Sequence, residues 1–234
     1  MDISDFEAYA ALKGEETLRV RPDRTALLVV DMQRYFVEPE FPFGQVLAKF
    51  QPDAAAAYFD RVRTTVVPNV QELLKSCRKL GIPTYFTAFG SLRSDGRDLP
   101  GWARQLNKLS QKTVGAPMYP PRDDDSWQIH ATLAPRQGEP VLAKTTSGPL
   151  NSARLDQTLH VLGVDTVLVA GVTTDVCVTQ AARELADGGF SVIILADSCA
   201  APGDDRHRSA LETFAMVFGR VCSTRSVLEA LEEN

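Results

Sequence analysis

The segment Thr166 to Gly189, TVLVAGVTTDVCVTQAARELADGG, admits few local structures. A continuous apolar run, Val167 to Ala170, meets a turn at Gly171, and apolar residues then recur at Val178, Ala181, Ala182, Leu185 and Ala186. An unbroken short run marks a strand buried on both faces, and the later spacing marks one face of a helix. Asp175 is placed to cap that helix, and Gly188 with Gly189 to end it. Cys177 then lies in the helix's first turn, just past the strand's carboxyl end, where unpaired N–H groups and the helix dipole favour a thiolate. A small cysteine packed as an apolar residue fits the same position, so the segment alone leaves both readings open.

The pattern recurs along the chain. Residues 1–24 read as a polar leader with one short helix over Ser4 to Lys13, and residues 25–234 as a single domain. Strands are predicted at Thr25 to Val30, Ile82 to Phe89, Pro140 to Lys144, the organising run from Thr166, Ser191 to Ala196, and Val221 to Ser223. Helices are predicted over Asp53 to Lys79, with Pro68 kinking it or starting a second one, Trp102 to Leu109, Asn151 to Leu162, Asp205 to Phe218 and Ser226 to Glu233. Six strands alternating with helices imply an α/β, three-layer Rossmann-like fold: a six-stranded parallel sheet with helices on both faces.

Two segments escape the pattern. Tyr35 to Phe59 is rich in aromatics and broken by Pro39, Pro42 and Pro52, which suits a pocket wall, a lid or a subunit contact. Phe36, five residues past Asp31, is the candidate pocket wall, with Gln33 a second substrate contact. Gly90 to Trp127 is a long irregular stretch of the kind that covers a site. Its acidic triplet, Asp123 to Asp125, lacks a calcium loop's alternating ligands and reads as a solvated turn.

Composition removes several function classes. A net charge of −5 without a basic block argues against a nucleic-acid surface. No apolar run reaches membrane-spanning length, and the acidic start lacks a signal peptide's basic region, so a cytoplasmic protein with no membrane partner is expected. Four cysteines, Cys77, Cys177, Cys199 and Cys222, lack disulfide, zinc or CxxC spacing and are expected to be free thiols. Neither GxGxxG after the first strand nor GxxxxGK[ST] is present, which disfavours a nucleotide- or flavin-binding module. None of the three histidines, His130, His160 and His207, follows a predicted strand end, so a Cys/His dyad is not expected.

Asp31, Lys144 and Cys177 each follow the carboxyl end of a different predicted strand, the edge of a parallel sheet where sites form. Asp31 alone reads equally as a cap. Together the three cohere chemically: an ammonium lowers a thiol's pKa, and a carboxylate moves protons between nucleophile, leaving group and water. That is the equipment of a cysteine hydrolase. A non-catalytic scaffold of the same fold is the competing reading, and it requires Cys177 to be inert.

DMQ after the first strand, KTTSGPLNSARLDQTLHVLGV, and AGVTTDVCVTQAARELADGGFSVIILADSC resemble the isochorismatase-like cysteine hydrolases, in that family's order, from Thr25 to Ser223. The resemblance implies a catalytic triad of Asp31, Lys144 and Cys177, a cis peptide between Val172 and Thr173, and an oxyanion hole formed by the N–H groups of Thr173 and Cys177. It also implies a homo-oligomer, dimer or tetramer. Retention of the cysteine favours C–N hydrolysis over vinyl ether cleavage. Nicotinamidases carry a metal site of an aspartate and histidines after the first two strands, whereas Phe36 to Phe50 and Tyr85 to Arg97 hold no histidine here. The expectation is therefore a linear amide or ureide as substrate, as for biuret hydrolases, ureidoacrylate amidohydrolases and N-carbamoylsarcosine amidases, with no metal and no cofactor. Nicotinamide is the alternative substrate.

Overall fold

In the computed structural model, which describes residues 3–15 and 17–233, six parallel strands form one sheet. In chain order the helices and strands are α1 (Ser4–Leu12), β1 (Thr25–Val30), α2 (Arg34–Val37), α3 (Pro42–Phe50), α4 (Pro52–Arg61), α5 (Val67–Leu80), β2 (Thr84–Phe89), α6 (Gly101–Val114), β3 (Val141–Lys144), α7 (Leu155–Val161), β4 (Thr166–Val172), α8 (Thr179–Asp187), β5 (Ser191–Ala200), α9 (Asp204–Val217), β6 (Arg220–Cys222) and α10 (Thr224–Glu232). The spatial order is β3-β2-β1-β4-β5-β6, so the chain reverses direction across the sheet between β1 and β4. A crevice opens at such a switch point, outside the strands' carboxyl ends.

Both faces of the sheet are dry because the strands carry apolar residues on both. Leu27, Val29, Phe86, Leu168, Ala170 and Ile193 face a core completed by α3, α4, α5 and α10. Their neighbours Ala26, Leu28, Val30, Val167, Val169 and Ile194 face the opposite core with α1, α7, α8 and α9. This is the period of two expected of a pleated strand, filled on both sides. Phe6 and Ala10 of α1 are buried, and Lys13 Nζ donates to the carbonyls of Ala215 and Gly219 at 3.3 and 2.6 Å, tying the N-terminal segment to α9.

Several local expectations are corrected. The aromatic segment after β1 is helical, in α2, α3 and α4, because Pro42 and Pro52 sit in the first turns of helices, where a missing N–H costs nothing. Pro68 lies in the first turn of a second helix, α5, one of the two arrangements expected of it. A π-helical turn over Val62–Val66 precedes it and joins α4 to α5. Helix α6 runs to Val114, beyond the predicted Leu109, and α7 begins only at Leu155.

Strand β5 does not end at Asp197. Its register against β4 shifts so that Val169 pairs with Ile194 but Gly171 pairs with Cys199, and the extra residues of β5 bulge out. Asp197 in that bulge accepts from Thr224 N and Oγ1, both at 2.7 Å, and so caps the start of α10. Asp175 does not cap α8. A π-helical turn over Thr174–Val178 comes first, preceded by Thr173, and no side-chain cap is made.

Candidate active site

Three strand ends meet at the switch point. The residue after β1, Asp31, has φ 49°, a left-handed conformation that aspartate tolerates better than most side chains. On the neighbouring strand Gly171 has φ 125°, and a Cβ there would strike the Val30 carbonyl, so only glycine lets β4 lie this close to the β1 end. The Val172–Thr173 peptide bond that follows is cis. The Thr173 carbonyl accepts from the N–H groups of Val176 and Val178 at 3.2 and 3.1 Å, folding the chain back so that Cys177 faces Asp31 and Lys144.

Lys144 reaches the same point from β3, two strands away from β1. Strands lie ~4.8 Å apart, so only a long side chain spans that gap. Its stem passes the Phe89 ring, with Nζ 4.9 Å from the centroid. Nζ lies 2.7 Å from Asp31 Oδ2, 2.9 Å from Ser147 O, 3.2 Å from Thr146 O and 3.4 Å from Cys177 Sγ. Each of these four neighbours can accept, so a neutral amine would aim its lone pair at another lone pair. Burial pulls this ammonium's pKa down, but Asp31 and Cys177 more than offset that, and the net shift is upward. Lys144 is therefore a resident cation rather than a base.

Asp31 is held on its other side. Thr87 Oγ1 donates to Oδ1 at 2.6 Å, and the Asp31 N–H donates to Thr87 at 3.2 Å. Oδ2 has its ionic contact with Lys144 but no well-aligned hydrogen-bond donor among the described residues. Cys177 departs from the sequence expectation of a resting thiolate. Burial pushes its thiol up, Lys144 opposes this, and Asp31 adds to it. Dehydration and the neighbouring carboxylate thus act against the helix start, and the net direction is upward.

A cavity of about 130 Å³ opens above Cys177. Phe36 lines it, joined by Phe43 of the same aromatic segment and by Phe89, Trp102 and Tyr119, while Thr173, Asp175 and Arg206 supply polarity. Trp102 and Tyr119 come from the 90–127 stretch. Gln33 is a correction: its Nε2 donates to Phe89 O and Trp127 O at 3.0 and 2.8 Å, and its Oε1 accepts from Phe89 N at 2.8 Å. With its amide spent on the backbone and fully buried, it braces the aromatic wall and has nothing left for a substrate.

Sequence reasoning missed Arg206, Asp175 and His207. Arg206 donates to Gln51 Oε1 at 3.3 Å and lies 3.9 Å from Asp175 Oδ2, while Asp175 Oδ1 is buried without a donor among the described residues. His207, which follows no predicted strand end, is buried against the turn carrying Thr174. Burial, then the adjacent Arg61, lowers its pKa to about 3, so the ring is neutral. The four cysteines are free and buried. Among the described residues no cluster of three or more histidine, cysteine, aspartate or glutamate side chains is arranged to hold a metal ion, and no helix is long and apolar enough to cross a membrane.

Known proteins carry the comparison further. The model of the isochorismatase domain matches residues 25–226. The chain belongs to the isochorismatase family. The family resemblance drawn from the three sequence motifs and the six-stranded α/β fold expected from it are both borne out. Among relatives of this isochorismatase-family chain, ureidoacrylate amidohydrolase RutB of Methylobacterium radiotolerans is 25% identical over 224 residues, covering 92% of this chain and 83% of that protein. N-carbamoylsarcosine amidase of an Arthrobacter species is 25% identical over 235 residues, covering 97% and 80%. A solved cysteine hydrolase from Pseudomonas syringae pv. phaseolicola superposes with a TM-score of 0.75 at 26% identity, covering 93% of this chain and 96% of the other.

Proposed function

We propose that this chain is a metal-independent cysteine amidohydrolase that cleaves the C–N bond of a small linear amide or ureide through a thioester on Cys177, releasing ammonia. The observation that carries this reading is the convergence of Asp31 Oδ2 and Cys177 Sγ on one buried ammonium, at 2.7 and 3.4 Å from Lys144 Nζ. Cys177 Sγ attacks the substrate carbonyl while its proton passes to Asp31. The oxyanion is received by the N–H groups of Thr173 and Cys177, and Lys144 balances the charge that accumulates around the thiol. Asp31 then returns the proton to the departing nitrogen, which leaves as ammonia. A water molecule, deprotonated by the same carboxylate, attacks the thioester; the acid product departs and the proton goes back to Sγ.

Substrate size and polarity follow from the cavity. At about 130 Å³ it suits a molecule of a few heavy atoms, with a flat part against Phe36, Phe89 and Tyr119. Asp175 Oδ1, an acceptor without a donor, suits a ureide, whose carbonyl carries N–H groups on both sides. Arg206 at the rim suits a carboxylate on the far end of the molecule, as ureidoacrylate and N-carbamoylsarcosine possess. Replacing Arg206 with Gln is expected to raise KM for an anionic ureide by about 10-fold, the loss of one charge-assisted hydrogen bond, while changing that for neutral biuret little. Equal KM changes for both compounds would remove the arginine from substrate recognition.

The test of the reaction is ammonia release from a panel of linear amides and ureides by enzyme dialysed against a chelator. Undiminished activity on one panel member is expected, since the residues proposed for the chemistry need no ion. Activity abolished by the chelator and restored by a divalent metal would overturn the metal-free mechanism. A homo-oligomer, dimer or tetramer, and a cytoplasmic setting, in which buried thiols stay reduced, complete the reading; light scattering of the purified protein tests the former.

A further inference from the structure

The turn that carries the proposed oxyanion donors is held from behind by a chain of hydrogen bonds in which no member touches the substrate cavity. Thr174, fully buried between Thr173 and Cys177, places its Oγ1 2.7 Å from His207 Nδ1 on α9. The other ring nitrogen, Nε2, lies 3.1 Å from Arg61 Nη2 on α4. Arg61 is itself anchored, with Nε donating to Cys199 O and Nη2 to Ala196 O, both at 3.0 Å, across the end of β5. A guanidinium has donors only, so Nε2 must present its lone pair, and the proton of the neutral ring then resides on Nδ1 and is donated to Thr174.

We infer that Arg61 and His207 form a positioning relay that fixes the tautomer of His207 and, through Thr174 Oγ1, the orientation of the Thr173–Cys177 turn. His207 acts through Thr174 and not on the substrate. It lines a separate cavity of about 510 Å³ bordered by α1, α9 and β5, and it is absent from the wall of the cavity containing Cys177. The logic is that of a second group orienting a catalytic element, here applied to backbone donors instead of an imidazole base. Three elements, α4, β5 and α9, thereby converge on one hydroxyl next to the nucleophile.

The inference rests on the proposed hydrolysis for its kinetic consequence, but the relay itself is readable without turnover. In protein with 15N-labelled histidine, the His207 ring is expected to give the neutral Nδ1–H pattern with a slowly exchanging ring proton, and that proton is expected to exchange faster in Thr174→Val. An Nε2–H tautomer or an imidazolium at neutral pH overturns the relay, whether or not any substrate is turned over. Kinetically, His207→Leu and Thr174→Val are each expected to lower kcat by about 10- to 100-fold with KM little changed, the scale for misplacing a catalytic group by a fraction of an ångström to an ångström. The double variant should lose no more than the worse single one, because both break one link. His207→Asn, whose Nδ2–H stands near the position of Nδ1–H, should recover most of kcat. Wild-type kcat in folded Thr174→Val, losses that multiply in the double variant, or His207→Asn no better than His207→Leu would overturn the role. A wild-type enzyme inactive on every amide, yet showing the Nδ1–H pattern, would defeat the proposed function and leave the relay standing.

Discussion

Replacing Cys177 with alanine is expected to lower amide hydrolysis by ~10⁴-fold or more, the scale seen when the nucleophile of a covalent mechanism is removed. Among the described residues lining the cavity the Cys177 thiol is the strongest nucleophile, and of its two polar neighbours Lys144 is held as an ammonium by its acceptors and Asp31 is pinned by Thr87 and Lys144. The protein should remain folded. Cys177 is buried, so the loss of one sulfur atom is expected to cost on the order of 1 kcal/mol. Mass spectrometry of acid-quenched wild type should find the acyl group on the peptide containing Cys177, and the variant should show none. Hydrolysis by the alanine variant within a factor of about ten of wild type would rule out covalent catalysis at this residue. Because the resting thiol is pushed up by burial and by Asp31, general alkylating reagents are a poor substitute for this experiment: they report the thiolate fraction of the free enzyme, while attack on substrate is coupled to proton transfer.

The second large effect concerns stability as well as rate. Asp31→Asn leaves a fully buried ammonium facing two carbonyls and a thiol, and Lys144→Met leaves a fully buried carboxylate with Thr87 alone on its side-chain oxygens. Breaking one half of a buried pair typically costs about 3–5 kcal/mol, most of it the stranded charge, so each single variant should melt well below wild type. The double variant removes both charges and is expected to regain most of the stability while hydrolysis stays at least ~10³-fold down. Asparagine is chosen because it also tolerates the left-handed backbone that Asp31 adopts at φ 49°, which keeps a backbone effect out of the comparison. Melting temperatures of the three variants read against wild type decide the matter. If both single variants melt as wild type does, the pair carries no stored cost. If the double variant regains rate along with stability, the two residues serve the fold and not the reaction.

Much of this architecture was legible locally. Strand β1 was predicted at its observed bounds because six consecutive residues of it are buried on both faces, and continuous burial leaves an unbroken apolar run. The terminal residues of such runs are visible by contrast, and Asp31 and Lys144 stood out for that reason, Cys177 for its place at a helix start. Segments governed by distant contacts read poorly. The helices after β1 were hidden by Pro42 and Pro52, which in fact lie in first turns, and the bulge in β5 depends on its register with β4. Gln33 sat beside Asp31 in sequence and was read as a substrate contact, yet its amide is consumed by Phe89 and Trp127, residues far along the chain.

By itself the sequence determined the alternation of strand and helix, the parallel sheet and the three polar residues at its carboxyl edge, because periodicity and strand termini are properties of neighbours along the chain. Only the tertiary structure decided that a lysine from the edge strand spans β2 to pair with Asp31, and that burial pushes the Cys177 thiol up. It also brought Arg206 to the cavity and His207 to Thr174. Those are facts of dehydration and of contacts between segments remote in the chain, and no local pattern encodes either.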